Sequence, residues 1–255
     1  MKVVAIVQAR MGSSRLPGKV LLELGGKTVI EQVVSRLRRA SSLDDVVVAI
    51  PIGRRDDPLE AECSRIGAET IRGPEDDVLA RYILAARATG ADIVVRITSD
   101  CPCTDPDIVD LVMHRAISTC CDYASNTLQR SWPRGYDVEV VRTDALERAA
   151  ARAVHEHEKE HVTPAIWQNP HLYSIEQVTA IPQAGNPDWR LCLDTPLDYA
   201  MLKMLWKVCA DGEGKLPGAK EVIACLQKNP WLVAMNSGVR QKSLPDPVVA
   251  MEAVG

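Results

Sequence analysis

Phenylalanine is absent from the chain, and aromatic residues of all kinds make up only 4% of its 255 residues. Five Trp and five Tyr must supply the aromatic bulk, so the core is expected to rest on Val, Ile, Leu, Ala and Met. No run of about 18 apolar residues occurs, which excludes a membrane-spanning helix. The first apolar run, Val3 to Val7, is too short for the hydrophobic region of a secretion signal, and a cytoplasmic protein is expected. None of the eight cysteines belongs to a C-x-x-C pair. Disulfides are therefore not expected, and the thiols should pack as small buried hydrophobes. A basic excess is missing too. The formal net charge of -4 argues against nucleic acid or an anionic membrane as partner.

What is present is an ordinary globular composition, 46% apolar and 25% charged. It suits one large domain over residues 1–235, with a loose tail over 236–255. The charge is unevenly spread. Residues 1–40 hold eight Lys/Arg and two Asp/Glu, a net of +6 that leaves -10 for the rest. Buried strands are expected at Val3–Val7, Val46–Ile50 and Ile93–Ile97, as short continuous apolar runs. Helical spacing predicts helices over Thr28–Arg39, Pro58–Ile66 and Asp77–Ala88, with another opening at Pro106 behind Asp105 as N-cap. That alternation predicts an α/β fold, a doubly wound and mostly parallel sheet. In the second half, strands are expected at Asp137–Val141, Leu172–Val178 and Arg190–Leu193. Helices are expected at Thr143–His155, Thr195–Cys209 and Ala219–Gln227.

The segment Gln8–Lys19, QARMGSSRLPGK, lies between the first strand and a helix. Ligands of open α/β sheets bind at such carboxyl ends. Gly12, Gly18, Ser13 and Ser14 allow backbone N–H groups to approach an anion. Arg10, Arg15 and Lys19 neutralise it, and no acid intervenes. A polyphosphate is the natural ligand. The run is neither a Walker A motif, whose spacing and hydroxyl it lacks, nor a G-x-G-x-x-G turn.

VQARMGSSRLPGKVL, followed by a Gly-Gly-Lys turn, resembles the opening motif of sugar-activating cytidylyltransferases. It is similar to the A-R-x-x-S-x-R-L-P-G-K run of the 3-deoxy-manno-octulosonate (Kdo) enzymes. It is closer still to the spore-coat polysaccharide branch of the acylneuraminate cytidylyltransferase superfamily, with matching motifs over roughly residues 2–210. The resemblance implies a Rossmann-like sheet of the nucleotide-diphospho-sugar transferase type with a small β-rich acceptor and dimerisation insertion. It implies transfer of CMP from CTP to an acidic sugar, with pyrophosphate released, for cell-surface polysaccharide synthesis by a homodimer. Gln8, Ala9, Arg10, Gly12, Ser13, Arg15 and Lys19 would then hold CTP, with Arg10, Lys19 and Asp100 catalytic.

Asp100, in Ser99-Asp-Cys-Pro, and Asp194, in Leu193-Asp-Thr-Pro, each follow an apolar strand pattern and precede proline. Mg²⁺ binds through one or two carboxylates plus substrate phosphates, so these two are expected as its ligands. The competing reading makes them helix caps. Family counterparts read G-D-x-P-L and D-T-P-x-D; this chain has Ser99 and Cys103 where Gly and Leu are usual. Arg72 and Asp77 lie in a segment resembling one near the nucleotide, though Asp76 or Asp77 could equally cap a helix. Arg96 and Arg190 are expected to assist the anions. Asn126, the run Arg134-Gly-Tyr-Asp137-Val-Glu139-Val and His161 match stretches that hold the acceptor. Asp137 and Glu139 would share one strand face, where a polar outer edge is the competing reading. His157-Glu-Lys-Glu-His161 fits the zinc motif H-E-x-x-H. Its charged middle and the family's own E-H-V-T-P run, reproduced at Glu160–Pro164, turn the reading against zinc. A nucleotidylyltransferase for a sugar 1-phosphate or phosphonate, or a nucleotide-sugar glycosyltransferase using Asp105-Pro-Asp107, remain the alternatives.

Overall fold

A computed structural model describes residues 1–180 and 184–241. The chain opens with β1 (Val3–Gln8), a short hairpin of β2 (Glu23–Leu24) and β3 (Lys27–Thr28), and α1 (Val29–Leu37). Next come β4 (Asp45–Pro51), α2 (Asp57–Arg65), β5 (Glu69–Gly73), α3 (Val78–Thr89), β6 (Ile93–Thr98) and α4 (Pro106–Thr119). The second half runs β7 (Tyr123–Ser125), β8 (Glu139–Arg142), α5 (Thr143–Ala150), α6 (Glu156–His161), α7 (Pro164–Trp167) and β9 (Ile175–Gln177). It ends with α8 (Pro196–Cys209), α9 (Ala219–Lys228) and α10 (Pro230–Ala234).

Seven strands form one sheet in the order β5-β4-β1-β6-β8-β7-β9. The first four are parallel, and β8 runs antiparallel between β6 and β7. Alternate residues of β1 feed two separate cores. Val3, Ala5 and Val7 pack with α1, α4, α8 and α9, while Val4 and Ile6 pack with α3, α5 and α7. Both faces are covered, which is why this strand reads as an unbroken apolar run. The chain winds outward from β1 through β4 to β5, then returns to place β6 on the other side of β1. The crevice between the carboxyl ends of β1 and β6 is therefore the topological switch point.

The predicted doubly wound α/β sheet is present, with several corrections. Arg190–Leu193 is not a strand; Arg190 makes only an isolated parallel bridge to Arg134, outside the strands of the sheet. Gly135 allows this approach: its φ is +112°, and a Cβ there would sit 2.8 Å from the backbone of Leu191. The helix expected over Thr143–His155 stops at Ala150, because His155 and Glu158 form a capping box that starts α6. Leu172–Val178 contributes only three residues to the sheet, and Asp137–Val141 pairs only from Glu139. The disulfide expectation fails at one pair. Cys209 at the end of α8 is bonded to Cys225 in α9, with Cα atoms 6.3 Å apart where the two helices pack. The tail is also not loose from its start. Asn236 is 1% exposed and donates to Arg190 O at 3.0 Å and Asp198 Oδ1 at 2.9 Å. The rest of that tail, 242–255, lies outside the described residues.

Candidate active site

The loop after β1 is pinned at both ends. Met11 N donates to Asp56 Oδ1 at 2.7 Å, and Gly18 N donates to Met11 O at 3.1 Å. Gly18, at φ +68°, takes a left-handed turn that L side chains resist, and this turns Lys19 back toward the sheet. Across the crevice, Leu193 N donates to Asp100 O at 2.7 Å, which sets the two aspartate-bearing turns side by side. Neither aspartate is a cap. Asp105 caps α4, accepting from Asp107 N and Ile108 N, and Thr195 caps α8, accepting from Asp198 N at 3.2 Å. The side chains of Asp100 and Asp194 are thereby left to face the cleft.

They converge on one cation. Lys19 Nζ lies 2.8 Å from Asp100 Oδ2 and 2.8 Å from Asp194 Oδ1. Asp194 Oδ2 also forms an ion pair with Arg15 at 3.0 Å and accepts from Arg190 Nη2 at 2.5 Å. Burial opposes the charge on Lys19, but the two carboxylates outweigh it and raise its pKa above 10.5. Burial likewise opposes ionisation of Asp194, and Lys19, Arg15 and Arg190 outweigh it and hold the carboxyl below 3.8. Asp198, fully buried, fixes the far side of this group. It accepts from Arg190 Nε at 2.9 Å, from Asp194 N at 3.0 Å and from Thr195 N at 2.9 Å. Two carboxylates already focused on a single positive centre are a donor set that suits Mg²⁺, with phosphate oxygens and water completing its shell. Among the described residues no third His, Cys, Asp or Glu joins them as a metal cluster.

The cleft above this centre has a volume of about 1290 Å³, large enough for a nucleotide and a second substrate. Its phosphate end is lined by Gln8, Ala9, Arg10, Ser13, Ser14, Arg15 and Lys19, with Thr98, Ser99 and Asp100 opposite. The other wall carries Arg96, Asp137, Glu139, His161, Thr163 and Trp167. Glu139 organises that wall. It pairs with Arg96 and accepts from Tyr123 OH at 2.6 Å and from Thr163 Oγ1. Burial opposes the charge on Arg96, yet Glu139 outweighs it and raises the guanidinium's pKa. Val162 sits between His161 and Thr163 at φ +73°, ψ -60°, with Thr163 N donating to His161 O at 2.8 Å. This is a strained γ-turn in a β-branched residue. It lets the residues on either side both line the cleft. Burial lowers the pKa of His161 below 6.5 and keeps the ring neutral near pH 7.

Of the residues picked from sequence, five do not line the cleft. Arg72 turns outward to Glu60 and Asp57, at 2.8 and 2.7 Å, and to the carbonyls of Pro51, Ile52 and Gly53. Asp77 caps α3, accepting from Ala80 N at 2.8 Å. Asn126 joins backbone to backbone, donating to Tyr136 O and accepting from Val138 N. Arg190 stands behind Asp194, and Gly12 packs beside the Arg55 guanidinium. His157 reaches Gln168 and stacks on His155, so the H-E-x-x-H histidines do not converge. Given no individual role from the sequence were Arg81, Arg130, Arg134, Thr163 and Trp167 on the cleft and Asp198 behind it, although Arg134 opens the stretch matched to the acceptor side and Thr163 and Asp198 lie in the E-H-V-T-P and D-T-P-x-D runs. The signal for Arg130 and Arg134 was two arginines flanking Trp132-Pro133 just before Asp137.

An open α/β sheet with a cation-rich cleft at its switch point defines the class: a nucleotidyltransferase-type fold whose ligands lie beyond the carboxyl ends of the strands. Comparison with known proteins narrows this. Residues 4–229 match the family model described as cytidylyltransferase. The chain is 35% identical over 247 residues to an uncharacterized protein of Methanocaldococcus jannaschii, covering 95% of this chain and 98% of that one. It is 34% identical over 233 residues to the spore coat polysaccharide biosynthesis protein SpsF of Bacillus subtilis, covering 89% and 95%. A solved cytidylyltransferase from Leptospira borgpetersenii superposes with a TM-score of 0.86 at 29% identity, over 95% of this chain and all of the other. The chain belongs to the cytidylyltransferase family. Among the described residues, no helix is long and apolar enough to cross a membrane.

Proposed function

We propose that the chain transfers the cytidylyl group of CTP to a hydroxyl of an acidic sugar and releases pyrophosphate, in the service of cell-surface polysaccharide synthesis. The observation that carries this reading is the Asp100–Lys19–Asp194 centre, set beside the phosphate loop at the switch point. The acceptor oxygen bonds to the α-phosphorus, and the bond from that phosphorus to the bridging oxygen of pyrophosphate breaks. The hydroxyl proton passes to water in the open cleft. Such transfers depend on positioning and charge neutralisation. Arg10, Arg15 and Lys19 take the triphosphate, with the backbone of Ser13 and the side chain of Gln8 at its edge. Asp100 and Asp194 would hold Mg²⁺, which when bound offsets phosphate charge and activates the attacking oxygen. Lys19 then gives up its place between the carboxylates and turns to the phosphates. Glu139, Asp137 and His161 face the acceptor. Arg190 works through Asp194 rather than on a substrate.

The same reading makes the enzyme a cytoplasmic homodimer acting on soluble substrates, without nucleic acid or membrane. The glycosyltransferase alternative loses its Asp-x-Asp pair, because Asp105 is occupied in capping α4 and in accepting from Ala219 N at 2.8 Å. The test is pyrophosphate release with Mg²⁺ across CTP, UTP, GTP and ATP, alongside thermal shifts with the same four nucleotides. CTP should stand apart in both. Equal shifts and equal turnover with all four would overturn the cytidylyl assignment.

A further inference from the structure

Arg130 and Arg134 stand together on the acceptor wall, and only one of them is neutralised. Arg130 makes a two-pronged pair with Asp137, Nη1 to Oδ1 at 2.6 Å and Nη2 to Oδ2 at 2.9 Å. Arg134 lines the same cleft, is half-buried, and its guanidinium has no hydrogen-bond or ion-pair partner among the described residues. Its backbone is held rigidly. Arg134 N donates to Trp189 O at 2.9 Å, and Leu191 N donates to Arg134 O at 2.7 Å. The close Gly135–Leu191 contact fixes the neighbouring residue. Burial, and then the Arg130 charge beside it, make its own charge costly. A partly desolvated cation next to a second cation is unfavourable unless an anion completes the group.

We propose that Arg134 is the specificity-determining residue for the acceptor, receiving its carboxylate as a monoanion. This rests on the acidic-sugar reading and adds to it the residue and the charge state. The charge balance selects the anion. Arg130 and Asp137 cancel, so Arg134 leaves a single positive charge. A carboxylate neutralises that charge, and a planar fork suits it. A phosphate dianion would leave one surplus negative charge against the single free charge of Arg134, since the neighbouring Arg130 is already neutralised by Asp137. The sugar 1-phosphate acceptor is therefore disfavoured by this wall.

The test compares wild type, Arg134→Gln and Arg134→Lys. Pyrophosphate release from CTP and Mg²⁺ is measured with eight- and nine-carbon 3-deoxy-2-keto sugar acids, and with glucose 1-phosphate. Arg134→Gln should raise KM for the sugar acid about 30-fold, the size of a lost charge-assisted hydrogen bond, and leave KM for CTP within about twofold. Arg134→Lys should restore part of the loss, since it returns the charge without the fork. The melting temperature of Arg134→Gln should equal or exceed that of wild type, because the variant removes an unpaired charge. A merely structural arginine would lower it. An unchanged acceptor KM in an active Arg134→Gln protein overturns the assignment and leaves the acidic-sugar reading standing. Turnover of glucose 1-phosphate and of no sugar acid overturns both, as does silence with every acceptor.

Discussion

At the phosphate end of the cleft, one twelve-residue segment brings Arg15 and Lys19 to a pair of aspartates and Arg10 to the same cleft. At the acceptor end, Arg96 and Glu139 come from neighbouring strands, while Arg134 and Thr163 come from loops, and all four line the same cleft. The first end works by concentrated charge of one sign set against two carboxylates. The second combines internally satisfied pairs, Arg96 with Glu139 and Arg130 with Asp137, with one guanidinium unpartnered among the described residues, Arg134, and is shaped by a buried glutamate and a strained turn. On the proposed reading, a triphosphate needs the same charge neutralisation whatever the acceptor, so that end can be local, whereas an acceptor that differs from one sugar to another is met by a wall assembled from distant parts.

The sharpest way to break this comparison is Asp100→Asn. The change preserves shape and removes one of the two charges focused on Lys19, so turnover should fall about a thousandfold, the scale at which a group that stabilises transition-state charge acts. Folding should be retained, read by circular dichroism and the thermal midpoint. Near-normal activity in the folded variant would remove Asp100 from the metal site and leave the phosphate end as a plain anion hole.

Glu139→Gln comes next and acts on the other end. Glu139 is 7% exposed and is the ion-pair partner of Arg96, which also lies 6.0 Å from the centroid of the Tyr82 ring. Glutamine keeps the size and leaves the guanidinium charge unpaired, which costs about 3 kcal/mol when such a buried pair is broken. Urea unfolding should show that loss. A variant as stable as wild type would mean that Glu139 is held for the substrate rather than for the wall.

The same contrast explains what was legible in the sequence. The phosphate loop is contiguous, so its composition alone marked it, and the parallel half of the sheet showed in its apolar runs. Asp100 and Asp194 were legible because a strand pattern, an acid and a proline repeat at both. The sequence could not show which way Arg72 and Asp77 turn: both lie near the β5–α3 junction, and each found a partner on its outer side. Asp198 closes the D-T-P-x-D run, but its place behind Asp194 was not legible, since an acid in the first turn of a helix also reads as ordinary dipole compensation. Arg134 opened a stretch read as acceptor-side, but nothing in that stretch distinguished it from Arg130, which finds its partner in Asp137. Val162 carries a positive φ without the glycine that usually advertises one.

That turn supplies a smaller prediction. Val162 is fully buried, so truncation to Ala should cost about 1–2 kcal/mol in lost burial. Going further to Gly removes another methyl but relieves the positive φ, a strain of about 1–3 kcal/mol. Val162→Gly should therefore be at least as stable as Val162→Ala, whereas glycine in a regular element is worse than alanine by about 0.5–1 kcal/mol. The order of the two unfolding midpoints decides it. If Gly proves clearly the weaker, the turn stores no strain.

The smallest effect is a dependence on pH that belongs to one end only. At the phosphate end the pKa of Asp194 is lowered below 3.8 and that of Lys19 raised above 10.5. The stability from Asp194 is present above 3.8 and is lost only as pH falls through its lowered value. The stability from Lys19 is present below 10.5 and is lost only as pH rises through its raised value. Between pH 5 and 7 that end contributes no slope. His161, on the acceptor wall, behaves differently because burial lowers its pKa from 6.5. As pH falls below 6.5 the unfolded chain takes up a proton that the native ring refuses, so stability declines until the native value is reached. Above 6.5 both states are neutral and the slope vanishes. The decline is worth about 1.4 kcal/mol for each unit by which the native value is displaced. Urea midpoints of wild type and His161→Gln, measured from pH 5 to 7.5, should converge at the acid end and separate above pH 6.5 by a constant amount. A constant separation throughout would place His161 in water and move it from the wall of the cleft to its rim.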